Sequence, residues 1–298
     1  MTLSIIYAIG CALLWAGTTV AGKMLTGTMP ALSFAFIRYT ISTLCFLPFL
    51  SYTEFKQVKV RHIPAILSLG FFMVFLFNIL FFTALSYAPA TTVSLISSIN
   101  PIVTLFILSL VLRRLPKKAQ LLAFMLSFAG TAMIITKGRI SYDILTGSIG
   151  EFLMIASVFM QIAYAMTMKK ISAHFSPLFL SFATGVSGLL FILPFICNKE
   201  FITSFNSLGS HQWMLLCYVG TLGTAAGMLF YSMGIKRAGP ATTNLIVFST
   251  MPVFVGIFSF FLLGEHLTQW HIIGVGMRWR AVMMVYYTKR YPVIIEMH

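Results

Sequence analysis

The sequence predicts an all-α membrane protein of ten transmembrane helices, built as two inverted five-helix repeats, and three observations carry that expectation. Hydrophobic residues make up 59% of the 298-residue chain and charged residues 9%, with a mean hydropathy of +0.94; soluble domains hold roughly a quarter charged residues. Ten apolar runs follow one another with only short connections between them. One motif, Pro-Ala-Thr-Thr, occurs at Pro89 and again at Pro240, an offset of 151 residues (240 − 89).

The runs cover 3–22, 31–52, 63–84, 90–112, 119–136, 148–168, 177–197, 212–235, 241–263 and 270–287. Each has about the 20 residues that a helix needs to cross a hydrocarbon core. The first is read as a membrane helix, not a cleaved leader, because Met1 to Ser4 carries no basic residue and the apolar run is long enough to span. No connection has the length or polarity of a soluble domain, so the chain has no nucleotide-binding engine of its own and implies no ATPase subunit.

Basic residues set the orientation. With the N-terminus inside, the cytoplasmic connections hold Lys56, Lys59, Arg61, Arg113, Arg114, Lys117, Lys118, Lys169, Lys170, Lys236, Arg237, Lys289 and Arg290, and the outer ones only Lys23, Lys137, Arg139 and Lys199. That excess places both termini in the cytoplasm. Tyr52, Tyr286 and Tyr287 then fall near the inner interface, with Trp213 and Trp270 near the outer one. The net charge of +14 reflects these loops, not a nucleic-acid partner, since no basic run exceeds two residues.

The duplication divides the chain into repeats 1–140 and 141–298. Ile9-Gly10 matches Ile149-Gly150, and Leu47-Pro48-Phe49 matches Leu193-Pro194-Phe195. Five crossings per repeat is an odd number, so the second repeat enters the membrane inverted and a site is expected near the midplane between the two. Within the paired motifs, Thr91, Ser98 and Pro101, like Thr242, Ser249 and Pro252, share one helix side. Proline removes a backbone hydrogen bond, so Pro101 and Pro252 are the expected hinges.

Leu14-Trp15-Ala16 running to Ala21-Gly22-Lys23, Arg38 in the second run, the Pro-Ala-Thr-Thr helices and Leu263-Gly264-Glu265 together resemble the EamA family of the drug/metabolite transporter superfamily. The resemblance covers nearly the whole chain. It implies a ten-helix inverted-repeat carrier that moves amino acids, nucleotide-derived metabolites or other small solutes across a bacterial inner membrane. The chain departs from the family pattern in three places. Asn100 and Met251 stand where an acidic residue often precedes the mid-helix proline. Arg113-Arg114 closes the fourth run where Gly264-Glu265 closes the ninth. Arg278 and Arg280 flank Trp279 in the tenth run, where two arginines cost about 5 to 7 kcal/mol on insertion scales; either a polar interior takes them or the stretch 277–284 reflects an altered reading frame.

Outside that stretch, Arg38 and Glu151 are the charged residues within the runs, and an ionisable residue in a membrane is a functional candidate by default. Arg38 offers a planar donor fork for a substrate carboxylate or phosphate, or a structural partner for Glu151. Glu151 is the candidate coupling group for protons. Candidate substrate-binding residues are Trp15 as an aromatic wall, Arg38, Asn78, Thr91, Ser94, Ser98, Asn100, Gln161, Tyr164, Asn244 and Ser249. For the amides, an unpaired group in hydrocarbon is costly, so each serves either substrate or interhelical glue.

The small-residue seams Ala8, Ala12, Ala16 and Gly220, Gly223, Gly227 let helices approach closely. Gly17 to Lys23 has phosphate-loop spacing until Met24 stands where Ser or Thr must hold magnesium, and no strand precedes it. Cys11, Cys45, Cys197 and Cys217 show no CxxC or Cys/His spacing and read as buried thiols. No metal, cofactor or catalytic constellation is legible, so the expectation is a carrier of a small molecule embedded in lipid. A sugar-phosphate or nucleotide-sugar exchanger is the alternative within the superfamily; a membrane-embedded enzyme or a scaffold is the alternative outside it.

Overall fold

The computed structural model describes residues 2–111, 149–196 and 199–265, with the short stretches 118, 121–122, 125–126, 129–130, 269–270, 272–277 and 280. The described residues are all helical or connecting. In chain order they form α1 (Thr2–Leu25), α2 (Ala31–Phe46), a tight turn at Leu47–Phe49, α3 (Tyr52–Gln57), a second such turn at Val60–His62, α4 (Ile63–Gly70), a π-helical segment (Phe71–Leu76), α5 (Phe77–Tyr87), α6 (Ala90–Ser97) and α7 (Asn100–Val111). There follow α8 (Ile149–Ile171), α9 (Pro177–Ile196), α10 (Lys199–Asn206), α11 (Ser210–Tyr218), a second π-helical segment (Val219–Ala226) and α12 (Gly227–Leu263).

Among the described residues, seven stretches are long and apolar enough to cross a membrane: Leu3–Leu25, Ala31–Phe49, Val60–Tyr87, Ala90–Val111, Ile149–Ile171, Pro177–Ile196 and Ser210–Leu263. The last holds 54 residues and is broken at Gly239, where φ is 78° and ψ 165°, so it has the length of two crossings. The expected runs 119–136 and 270–287 fall mostly outside the described residues. Arg278 does too, whereas Arg280 is helical and exposed.

The distribution of polarity is that of a membrane protein turned outward. Phe261 is 77% exposed, Phe49 72% and Leu262 59%, while Arg38, Asn78, Asn100, Gln161 and Asn244 are each at most 5% exposed. Lipid solvates the apolar rim at no cost, and polar groups retreat inward where neighbouring helices satisfy them. Helices in such a bundle associate by close packing and interhelical hydrogen bonds. Ser181 meets Ser232 at 2.9 Å, and the Ser187 hydroxyl donates to Ile66 O at 3.0 Å. Among the thiols, Cys11 is buried, but Cys45 is half-buried and Cys217 exposed, because an apolar run also has a lipid-facing side.

Packing partners come in reciprocal pairs. α1 lies along α12 and the second π segment, while α8 lies along α5, α6 and the first π segment. α2 packs on the second π segment, and α9 packs on α4 and the first. The first Leu-Pro-Phe forms a tight turn just after α2, whereas the second lies inside the last turns of α9. The short helices α3 and α10, which follow these two, were not foreseen from hydropathy.

The paired motifs fold unequally. Ahead of Pro101 the helix is interrupted at Ser98-Ile99, separating α6 from α7. At Pro252 the expected break is absent and α12 runs on. Its interruption comes instead at Gly239, directly before Pro240, because proline excludes the helical conformation from its predecessor and glycine alone adopts this positive φ readily.

Candidate functional site

α1, α2, α5, α6, α8, α12 and both π segments surround a cavity with about 490 Å³ of space between atoms, its open mouth included. Its wall is aromatic and thioether-rich, with Trp15, Phe77, Phe81, Phe82, Phe248, Met73, Met154, Met228 and Met251. Its polar groups are Thr18, Thr19, Arg38, Tyr39, Ser97, Gln161 and Thr224. Both sequence copies contribute.

Arg38 is the charged member of this lining. It is 5% exposed, and its guanidinium carbon lies 4.7 Å from the Tyr39 ring centroid, 5.0 Å from that of Phe82 and 5.7 Å from that of Phe34. Nη2 donates to Tyr39 Oη at 3.2 Å. Nε is buried without a hydrogen-bond partner among the described residues. Ring faces stabilise a cation without neutralising it, so the fork remains charged and partly undonated. Glu151, the other charged candidate, sits in the first turn of α8 and is not part of the lining that holds Arg38.

Of the other residues expected from sequence, Trp15 and Gln161 line the cavity with Arg38. Trp15 packs against Tyr231 in a tilted arrangement, 4.8 Å between centroids. Gln161 Oε1 accepts from Asn100 Nδ2 at 3.3 Å, which couples the wall to a buried network. In that network Thr104 Oγ1 donates to Asn100 Oδ1 at 3.0 Å, Asn244 Nδ2 donates to Asn100 Oδ1 at 2.8 Å and Thr104 Oγ1 at 2.9 Å, and Tyr231 donates to Asn244 Oδ1 at 2.5 Å. Asn100 and Asn244 therefore satisfy each other behind the cavity wall.

The remaining candidates also stand outside the lining. Asn78 donates from Nδ2 to Met73 O and Val74 O, each at 2.8 Å, and so stitches carbonyls of the first π segment. Tyr164 stacks on Tyr231 at 6.1 Å. Ser98 bonds Leu95 O at 2.7 Å. Ser94 is fully buried and its hydroxyl, like that of Ser249, has no partner among the described residues. Thr91 serves through its backbone at the helix end described next.

Two sets of charged side chains hold the ends of the bundle. At the end of α1, Lys23 Nζ donates to Leu85 O at 2.6 Å and Ala88 O at 2.9 Å, closing the C-terminus of α5. Beside it Glu265 accepts the amides of Ala90 and Thr91, 2.9 Å each, closing the N-terminus of α6. Both charges have the sign that the helix dipole favours. Gly264, at φ 65°, turns the chain out of α12 in the left-handed conformation that aims Glu265 back. At the opposite end, where Tyr7 of α1 lies under Arg237, Glu54 accepts from Ser176 N at 2.9 Å and Ser176 Oγ at 3.0 Å. Lys236 there donates to Phe175 O at 3.0 Å.

Sequence reasoning missed the threonines and the end caps. Thr18 and Thr19 belong to the spacing dismissed as a false phosphate loop; the stretch is a continuous helix, and their hydroxyls bond Leu14 O and Trp15 O. Thr224 adjoins the glycine seam, which marked a close approach without showing that it borders a cavity. The two π segments, at matching places in the two copies, supply Met73, Gly223 and Thr224 to the wall; such segments recur at functional sites.

Comparison with known proteins agrees with this architecture. The profile of the EamA-like transporter family matches twice, at residues 2–136 and 148–287. The uncharacterized transporter YyaM of Bacillus subtilis (strain 168) is 25% identical over 272 residues, 90% of this chain and 88% of that protein. YetK of the same organism, also an uncharacterized transporter, is 24% identical over 278 residues, covering 92% and 84%. A solved crystal structure superimposes with a TM-score of 0.69 at 12% identity over 96% of this chain and 97% of the other, a likeness of fold alone.

Proposed function

The chain belongs to the EamA-like transporter family, and from that premise we propose that it is a secondary carrier of a small organic solute, working by alternating access around the Arg38 cavity. The observation that carries this reading is the cavity itself, an apolar chamber with a buried cation, walled by helices from both copies of the repeat. An apolar lining with a few placed polar groups suits a small metabolite.

In this reading the repeats 1–140 and 141–298 are inserted in opposite senses and form ten crossings. The reciprocal packing of α1 with α12 and of α8 with α5 and α6 supports it, being the pattern that a twofold relation produces. Rocking of one repeat against the other would bend α6–α7 at the interruption before Pro101. It would bend the second copy at Gly239, directly before Pro240. The clasps of Lys23 and Glu265 at one end, and of Glu54 and Lys236 at the other, are elements that such rocking would strain in turn. The placement of basic loops favours cytoplasmic termini, and the family resemblance favours a bacterial inner membrane. A sugar-phosphate or nucleotide-sugar exchanger would need more positive charge in the cavity than Arg38 supplies.

The test is solute counterflow. Purified protein in sealed liposomes, preloaded with the solutes that most differ between cells with and without the protein, should concentrate labelled solute transiently. No counterflow of any such solute would refute the carrier reading.

A further inference from the structure

We infer that the cavity selects a singly charged organic anion with an apolar body, a monocarboxylate in preference to its zwitterionic amino-acid counterpart; this deepens the carrier reading and rests on it. The cation comes first. Arg38 is 5% exposed, its one hydrogen bond among the described residues goes to Tyr39, and its buried Nε has no partner among them. A buried charge without a counter-ion is unfavourable. A carboxylate entering the cavity supplies that counter-ion and takes two parallel N–H donors from the fork.

The second half of the argument is what a positive group on the substrate would meet. The chain has six acidic residues. Glu54 and Glu265 are held at helix ends by Ser176 and by Ala90 and Thr91. Glu200 is exposed on α10, and Glu151, in the first turn of α8, is absent from the lining. Asp143 and Glu296 lie outside the described residues. No described carboxylate therefore faces the cavity, and Gln161 Oε1 is already accepting from Asn100. An α-ammonium would lose its hydration with nothing of opposite charge in return. A dianionic phosphate would have one cation for two charges. The body of the ligand meets Phe77, Phe81, Met73 and Met251, a wall of rings and adaptable thioethers suited to a flat or branched apolar group.

Two matched pairs test this on the intact, detergent-purified chain by calorimetric titration: 3-phenylpropanoate against phenylalanine, and 4-methylpentanoate against leucine. The acid of at least one pair should bind roughly tenfold or more tightly than its amino counterpart, a difference of about 1.4 kcal/mol or more. Arg38→Lys, which keeps the charge and loses the fork, should weaken acid binding while leaving the elution profile unchanged. The comparison on the unsubstituted chain decides the matter if that variant misfolds. Equal or tighter binding of both amino acids, or no binding of either acid, overturns the inference. Counterflow separates it from its premise: tight acid binding without flux of any solute refutes the carrier reading alone, and flux of the amino acids in preference to the acids refutes the selectivity alone.

Discussion

Asn244 donates from Nδ2 to the Oδ1 of Asn100 at 2.8 Å, joining the second Pro-Ala-Thr-Thr helix to the helix that follows the first. The same Oδ1 takes the Thr104 hydroxyl, and Asn244 in turn accepts from Tyr231. Both amides are fully buried, so this small network fixes how the two copies meet from behind the cavity wall, which it reaches through Gln161. Asn100→Ala and Asn244→Ala should each lower the melting temperature in detergent. Their double-mutant coupling should be about 0.5–1.5 kcal/mol, as for interhelical bonds in membranes, and strict additivity would show that the pair does not act as one.

Glu265 closes the start of α6. Replacing it with alanine leaves the amides of Ala90 and Thr91 without the acceptor they now have, a loss of about 1 kcal/mol for a helix cap. Hydrogen exchange followed by mass spectrometry should show faster exchange in the peptide spanning residues 88–95 and little change in α9. Unaltered exchange there would remove the clasp from the account.

Gly223 borders the cavity where an added Cβ would come within 2.1 Å of Thr18 Oγ1. Gly223→Leu should fill the chamber and reduce counterflow to background. Gly276→Ala, placed where a Cβ meets nothing within 4 Å, should transport normally. Full activity of the leucine variant would move the site elsewhere.

Glu151 is the acidic residue of the first turn of α8, one turn before Met154 of the cavity wall. If it couples solute to protons, Glu151→Gln should abolish flux driven by a pH gradient and leave solute-for-solute exchange intact. Unchanged proton-driven flux in that variant excludes it as the coupling group.

Helices were the most legible part of the chain, because a bilayer demands about 20 apolar residues per crossing and little else imitates that pattern. The runs at 3–22, 90–112, 148–168 and 177–197 agree with α1, α6–α7, α8 and α9 to within a few residues. Side-chain roles were less legible. The cost of an unpaired amide in hydrocarbon marked Asn100 and Asn244 as candidates, but not that each would answer the other. A π segment takes up an extra residue per turn, so faces read from a regular 3.6-residue wheel slip beyond Phe71 and Val219, and Met73 and Thr224 escaped notice. Glu265 was visible as a motif; its partner lies 174 residues away at Thr91, a pairing that only the fold creates. Arg38 was found from sequence because one charge in an apolar run stands out at once.

The most direct test of the account is side-specific labelling of the cavity. Thr224, 2% exposed and part of the lining, would be replaced by cysteine in a chain freed of its native cysteines and placed in sealed vesicles of known orientation. Alternating access predicts that a membrane-impermeant maleimide reaches this position from the outside and, when trapped within, from the inside too. Labelling from one side only, whatever solute is present, would contradict it.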